Sequence, residues 1–172
     1  ESIEAGQVVI AAGAWTADVT AMLGVSLPVA ADINMLTISE PAPKLFDRVV
    51  THIGAILSLK QYPNGSVLIG GGWQGQGDVA QGTRRTDYLN LLHNLRVAMQ
   101  VVPALKHLRM VRSWAGYEGV AADALPLFGP LPGVPGAFVN ACARGGYHQG
   151  PALGEQMAAR KETAQAELAA RG

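Results

Sequence analysis

The residues of this chain whose types and spacing suit them to chemistry are glycines placed where apolar runs end. Residues 12–15 read Ala-Gly-Ala-Trp, residues 123–129 read Asp-Ala-Leu-Pro-Leu-Phe-Gly, and residues 145–151 read Gly-Gly-Tyr-His-Gln-Gly-Pro just ahead of a helix-forming tail. A glycine lacks Cβ, so backbone N–H groups beside it can press against a flat or anionic ligand, and a helix N-terminus adds a favourable dipole. The pattern points to a bound cofactor held largely by backbone.

The other common chemistries find less support. Lys plus Arg and Asp plus Glu balance at 13 each in 172 residues, which removes the electrostatic case for nucleic acid or an anionic membrane as partner. Apolar runs such as Val8 to Ala12 are too short to span a bilayer, and the first residues lack the basic and apolar regions of a signal peptide, so a soluble protein is expected. The single cysteine, Cys142, excludes an internal disulfide and suggests a reducing, cytoplasmic setting. It stands in the apolar run Ala137 to Ala143, where a buried thiol is the expected reading. No His, Cys or carboxylate group has metal-ligand spacing, and no metal is expected.

The elements that must position the glycines follow from periodicity. Val8 to Ala12 reads as a fully buried strand ended by Gly13, and Trp15 to Leu23 as a short helix closed by Gly24. Ala55 to Lys60 and Ser66 to Gly70 flank Tyr62-Pro63-Asn64-Gly65, a hairpin signal. Tyr88, Leu91, Leu92, Leu95, Ala98, Met99 and Val102 recur at helical spacing between Thr86 and Val102, and Pro103 ends the run. Met110 to Trp114 and Ala137 to Ala141 read as strands, and Pro151 to Ala170 as a helix with proline in its first turn. At 172 residues the chain can bury a real core, and it reads as a mixed sheet with helices.

The order of these pieces resembles the C-terminal portion of the D-amino-acid oxidase and sarcosine oxidase superfamily of FAD-dependent amine oxidoreductases. The segments that carry the resemblance are Val8 to Trp15, Ser39 to Pro43, Tyr62 to Gly65, Val67 to Trp73, and Arg109 to Gly154. Among family members the chain is most similar to the catalytic subunits of multi-subunit sarcosine, opine and hydroxyproline oxidases or dehydrogenases. The resemblance implies a mixed α/β and α+β fold: a substrate-domain mixed β-sheet with flanking helices, plus the C-terminal strands and helix of an FAD-binding Rossmann-like domain. It implies residues 1–27 as the end of the FAD-binding domain, 28–113 as the substrate-binding domain, and 114–172 as the return to the FAD-binding domain.

It also implies roles. Ala12, Gly13, Trp15, Gly129, Gly145, Gly146, Tyr147, His148 and Gln149 would contact FAD. The 145–151 loop would set backbone N–H groups against the pyrimidine edge of the isoalloxazine, where negative charge develops on reduction. Gly146, Tyr147 and His148 would thus serve catalysis, and His148 would pair with a substrate carboxylate. Tyr62, Trp73, Trp114 and Tyr147 are candidate walls of an apolar substrate pocket.

Several features depart from the family pattern. The strand, G-x-G-x-x-G turn and helix that hold the FAD pyrophosphate in the family are absent, so the chain reads as the second half of a flavoenzyme, completed by a missing N-terminal FAD-binding half or by a partner subunit, with homo-oligomerisation as a further arrangement. Tyr117-Glu118-Gly119 occupies the place of the arginine that clamps the carboxylate of free D-amino acids, which favours a secondary amine: sarcosine, an opine or a cyclic imino acid. Ala122 replaces a proline before Asp123, Pro28 to Leu36 keeps only the apolar end of its family motif, and Leu68 stands where some monomeric sarcosine oxidases carry a lysine. Two functions are then open. One is oxidation of a C–N bond by hydride transfer to flavin, and the other is a truncated, non-catalytic domain that keeps the fold as a binding or interaction module.

Overall fold

A computed structural model describes residues 2–141 and 144–170, with side chains omitted for 161–170. Cys142, expected as a buried thiol, lies outside the described residues. The chain forms two compact units, one of residues Glu1–Asp32 and Glu118–Gly172, the other of Ile33–Tyr117.

The chain opens with β1 (Val8–Ile10), a tight 3-10 turn at Gly13–Trp15, and α1 (Thr16–Ala21). The Thr16 hydroxyl donates to the Gly13 carbonyl at 2.8 Å, and Gly24 closes the helix at φ 76°. β2 (Val29–Pro41) follows, then β3 (Val50–Thr51), β4 (Ser58–Gln61), β5 (Ser66–Gly70), and the small pair β6 (Gln76–Asp78) and β7 (Thr83–Arg85). Next come α2 (Tyr88–Val101), a 3-10 segment at Pro103–His107, β8 (Met110–Ala121), β9 (Leu127–Pro130), β10 (Ala137–Ala141) and α3 (Gly146–Ala170).

In the unit of residues 33–117, β4 and β5 pair antiparallel from Ser58 opposite Gly70 to Gln61 opposite Val67, the hairpin expected from the Asn64-Gly65 turn. They lie within a five-stranded sheet of order β3-β4-β5-β2-β8. Its core is Leu57, Leu59, Val67, Ile69, Ala98 and Leu105. α2 begins one residue after Asp87, whose carboxylate accepts the Asn90 N–H at 2.9 Å as an N-cap. The other unit carries a three-stranded sheet of order β1-β10-β9, with β1 parallel to β10 and β9 antiparallel to it. Its core gathers Ile10, Leu131, Ala137, Val139 and Ala141.

Four expectations need correction. β1 is an outermost strand and is not fully buried: Ile10 is covered, but Val8 and Val9 are 52% and 38% exposed. β2, which has no counterpart among the expected strands, places Met35, Thr37 and Ser39 in buried positions. Two of these three are hydroxyl residues, so the alternation of apolar and polar side chains that marks a strand is blunted. Both hydroxyls are satisfied, Thr37 donating to the Arg112 carbonyl and Ser39 accepting the Val67 N–H. β8 continues past Trp114 to Ala121. α3 starts at Gly146, so Pro151 sits inside the helix instead of in its first turn, at the cost of a single backbone hydrogen bond. Among the described residues no helix is long and apolar enough to cross a membrane, and no three His, Cys, Asp or Glu residues are grouped to hold a metal ion.

Candidate functional site

In the unit built on β1, β9 and β10, two chain turns meet at the end of β8. A Cβ built on Gly119 would stand 3.0 Å from both the carbonyl carbon and oxygen of Gly13 and 3.3 Å from the Ala14 nitrogen, so the two backbones approach closely where a side chain would be tight. Toward the other turn, the Gly119 carbonyl accepts the Arg144 N–H at 3.4 Å. The neighbouring Glu118 carboxylate accepts the Gly145 N–H at 3.3 Å. The Arg144 guanidinium reaches Asp32, near the start of β2, at 2.7 Å. The end of β8 thus meets both turns: Gly119 lies against the Gly13 turn, and Glu118 and Gly119 bond the Arg144-Gly145 turn.

This arrangement sets the entrance to α3. Gly145 has φ 83°, a backbone region that favours glycine, and the exposed His148 imidazole lies over the place where a side chain would stand. Of the first N–H groups of α3, those of His148 and Gln149 turn back to the Gly145 carbonyl at 3.2 Å. No acceptor for the Gly146 and Tyr147 N–H groups is found among the described residues. As the first N–H groups of α3 they lie at the positive end of its dipole, outside the helix's own hydrogen-bond ladder. The Gln149 side-chain oxygen is buried, and no donor to it is found among the described residues. Tyr147 is fully exposed and the Gly13 turn, at φ 56°, faces open space.

These residues suit a flavin. An isoalloxazine pyrimidine edge offers carbonyl oxygens to the Gly146 and Tyr147 donors and an N–H to an acceptor, and the glycine backbone leaves room for a flat ring at Gly13. Among the residues expected at a cofactor, Gly13, Gly145, Gly146, Tyr147, His148 and Gln149 belong to these two turns, with Ala12 accepting the Trp15 N–H at 3.0 Å and Trp15 about half exposed. Gly129 is buried inside β9 opposite Val139, and the place of its missing side chain faces the Arg160 guanidinium of α3 at 3.9 Å. Glu118, Gly119, Asp32 and Arg144 were not singled out as site residues from sequence. The repeated glycines of Ala115-Gly116-Tyr117-Glu118-Gly119 were the available signal.

The aromatic residues of the other unit sit on different elements. Trp73 donates its indole N–H to the Ile56 carbonyl at 2.7 Å and meets His93 edge-on with ring centres 5.8 Å apart. Tyr62 lies in the turn at the opposite end of β5, where the Lys60 ammonium sits 5.2 Å from its ring, and it borders an open cavity of about 360 Å³ with Gln61, Asn64 and Phe46. β5 alone puts roughly 13 Å between the two, at 3.3 Å per residue. Trp114 on β8 is covered by the Arg112 guanidinium at 5.8 Å. At the start of α2 the Asn90 N–H, then the Gln76 amide, hold the Asp87 carboxyl below the ordinary value of 3.8.

Comparison with known proteins gives this geometry a family. Residues 1–160 match the model of the DAO family, described as FAD dependent oxidoreductase. The chain is 34% identical over 134 residues to hydrogen cyanide synthase subunit HcnC of Pseudomonas protegens, covering 77% of this chain and 30% of that protein. It is 28% identical over 158 residues to sarcosine oxidase subunit beta of Rhodobacter capsulatus, covering 91% of this chain and 37% of that protein. In three dimensions it is similar to the crystal structure of glycine oxidase from Geobacillus kaustophilus, with a TM-score of 0.78, 28% identity, and coverage of 91% of this chain and 41% of that one. The chain thus spans roughly a third of the length of the curated relatives it matches. A family match across residues 1–160, on a fold that gathers glycine backbone at the start of α3, leaves one conclusion: this chain belongs to the DAO family of FAD-dependent oxidoreductases.

Proposed function

We propose that this chain forms the C-terminal part of an FAD-dependent oxidoreductase that oxidises the C–N bond of a secondary amine or amino acid of the sarcosine, opine or imino-acid kind. The observation that carries the reading is the meeting of both turns at the end of β8, Gly119 against Gly13 and Glu118 bonded to Gly145, with the first N–H groups of α3 beside them. When bound, the flavin supplies the electron sink, taking a hydride from the carbon next to the amine nitrogen. The chain's own residues hold and polarise. Backbone donors at the start of α3 stabilise negative charge at the pyrimidine edge without needing any side chain to ionise. His148, exposed beside this loop, is suited to pair as imidazolium with a substrate carboxylate. The role that an arginine clamp plays for free D-amino acids is left vacant by Glu118, which supports a substrate recognised mainly through its amine and its apolar part.

The pyrophosphate end of FAD needs a glycine turn at a helix N-terminus that this sequence does not contain, so that contact comes from another segment or subunit. The test is to mix the full chain with FAD, alone and together with a polypeptide carrying a strand, G-x-G-x-x-G turn and helix, and to follow flavin fluorescence and absorbance. Anaerobic addition of sarcosine, proline or an opine then bleaches the flavin band if the reading is right. FAD that stays unbound in both mixtures refutes it and favours the non-catalytic module.

A further inference from the structure

We infer that Glu118 is a positioning residue of the loop that opens α3: its carboxylate holds the Gly145 N–H and thereby fixes the direction in which the next two N–H groups are presented. The ligand those groups receive rests on the flavin reading above, whereas the clamp itself rests on the geometry.

Gly145 lacks the side chain that restricts φ. At φ 83° it sits in a region most residues avoid, and its carbonyl accepts the His148 and Gln149 N–H groups, so the setting of its N–H bears on the aim of the first turn of α3. Arg144, just before it, is held at φ 33°, a region that L-residues leave unless their surroundings constrain them. Two constraints act on Arg144, the bond from its N–H to the Gly119 carbonyl and the ion pair of its guanidinium with Asp32. For Gly145 the constraint is the Glu118 carboxylate. Residues 118 and 119 thus grip consecutive residues of the loop, the first through a side chain and the second through its backbone.

The chemistry of the residue at 118 follows from this. The grip needs an acceptor, and a carboxylate is a stronger one for a backbone N–H than a neutral oxygen. Its negative charge near the N-terminus of α3 is also favoured by the helix dipole. An arginine or lysine at this place has donors only and cannot make the bond. A glutamine can make it with its carboxamide oxygen, and an alanine cannot.

The test uses the full chain, labelled with nitrogen-15, with amide exchange read by NMR. Glu118→Ala speeds exchange of the Gly145 amide by about tenfold or more, the equivalent of one charge-assisted bond, while the Val139 amide, within the β9–β10 pairing, keeps its protection. Glu118→Gln restores most of the Gly145 protection. In fluorescence titrations with FAD, alone or with the complementing polypeptide, Glu118→Ala weakens binding by about tenfold and Glu118→Gln by less than about threefold. An unchanged Gly145 exchange rate in Glu118→Ala overturns the inference, as does a Glu118→Gln variant as damaged as Glu118→Ala. If Glu118→Ala does not fold, Glu118→Gln decides by itself, since a carboxamide that leaves Gly145 unprotected refutes the clamp. If the unaltered chain binds no FAD in either mixture, the flavin reading fails while the exchange data still decide on Glu118.

Discussion

Replacing Gly119 by alanine tests the convergence of turns most directly. The added Cβ would stand 3.0 Å from the carbonyl carbon and oxygen of Gly13 and 3.3 Å from the Ala14 nitrogen, against ordinary contacts of 3.4 Å and more. The atoms in the way are backbone, so relief requires moving the whole Gly13 turn by a few tenths of an ångström or bending the end of β8. Overpacking of this kind costs about 1–3 kcal/mol, and the smaller entropy of an unfolded alanine offsets about 0.4–1 kcal/mol of it. The net expectation is a loss of about 1–2 kcal/mol. At about 2–4 °C per kcal/mol for a chain of this size, the melting temperature falls by roughly 2–8 °C. The same strand supplies the control. A Cβ on Gly116 meets nothing within 4 Å, so Gly116→Ala is expected to be neutral or stabilising by up to about 1 kcal/mol through the unfolded state. Urea and thermal unfolding of both variants, followed by circular dichroism, make the comparison. A Gly119→Ala protein as stable as the unaltered one, or one no worse than Gly116→Ala, would refute the close approach of β8 to the Gly13 turn.

Other perturbations probe separate parts of the molecule. Gln61 accepts the Leu45 N–H at 2.8 Å and donates to the Pro43 and Gly65 carbonyls at 3.0 Å each, so Gln61→Ala should release the segment before β3 at a cost of about 1–3 kcal/mol; limited proteolysis within residues 42–47 reads the release, and unchanged cleavage contradicts it. The Asp87 carboxyl is held below 3.8 by the Asn90 N–H and the Gln76 amide; a depressed folded value means that its stabilisation is complete above 3.8 and is lost as pH falls below that through the lower folded value. The stability difference between the unaltered chain and Asp87→Asn, whose cap cannot be protonated away, should therefore change only in that acid window, and a pH-independent difference would exclude the titration. In the FAD-loaded protein His148→Ala should raise the apparent dissociation constant of a carboxylate-bearing amine by roughly five- to tenfold, the modest value reflecting an exposed ring. FAD content should stay nearly constant, and rapid-reaction flavin reduction against amine concentration is the assay; an unaltered constant removes His148 from substrate binding.

Much of the fold was legible in the residues because the signals were local. Asn64-Gly65 between two β-type runs encodes a hairpin in its own turn geometry, and the apolar spacing from Tyr88 to Val102 encodes α2 in its own face. Val8 to Ile10 and Ala137 to Ala141 became strands for the same reason. β2 escaped notice because its buried face carries Thr37 and Ser39, and a hydroxyl is acceptable there only once Arg112 and Val67, distant in sequence, have supplied its partners.

For the site, the sequence by itself determined which turns lack side chains and that a glycine-rich loop runs into a helix N-terminus, because glycine and helix polarity are properties of the chain at that point. It did not determine which glycines work together. Gly129, in a motif as rich in glycine and proline as the others, fits inside a strand beneath Arg160, while Gly119, unremarked beside its neighbours, became the point where the Gly13 and Arg144 turns meet. Glu118 likewise became the partner of Gly145 only when the end of β8 was brought against the start of α3. Close backbone approach and hydrogen-bond pairing are set by distances between residues that local propensity never compares, and for that reason the tertiary structure alone decided them.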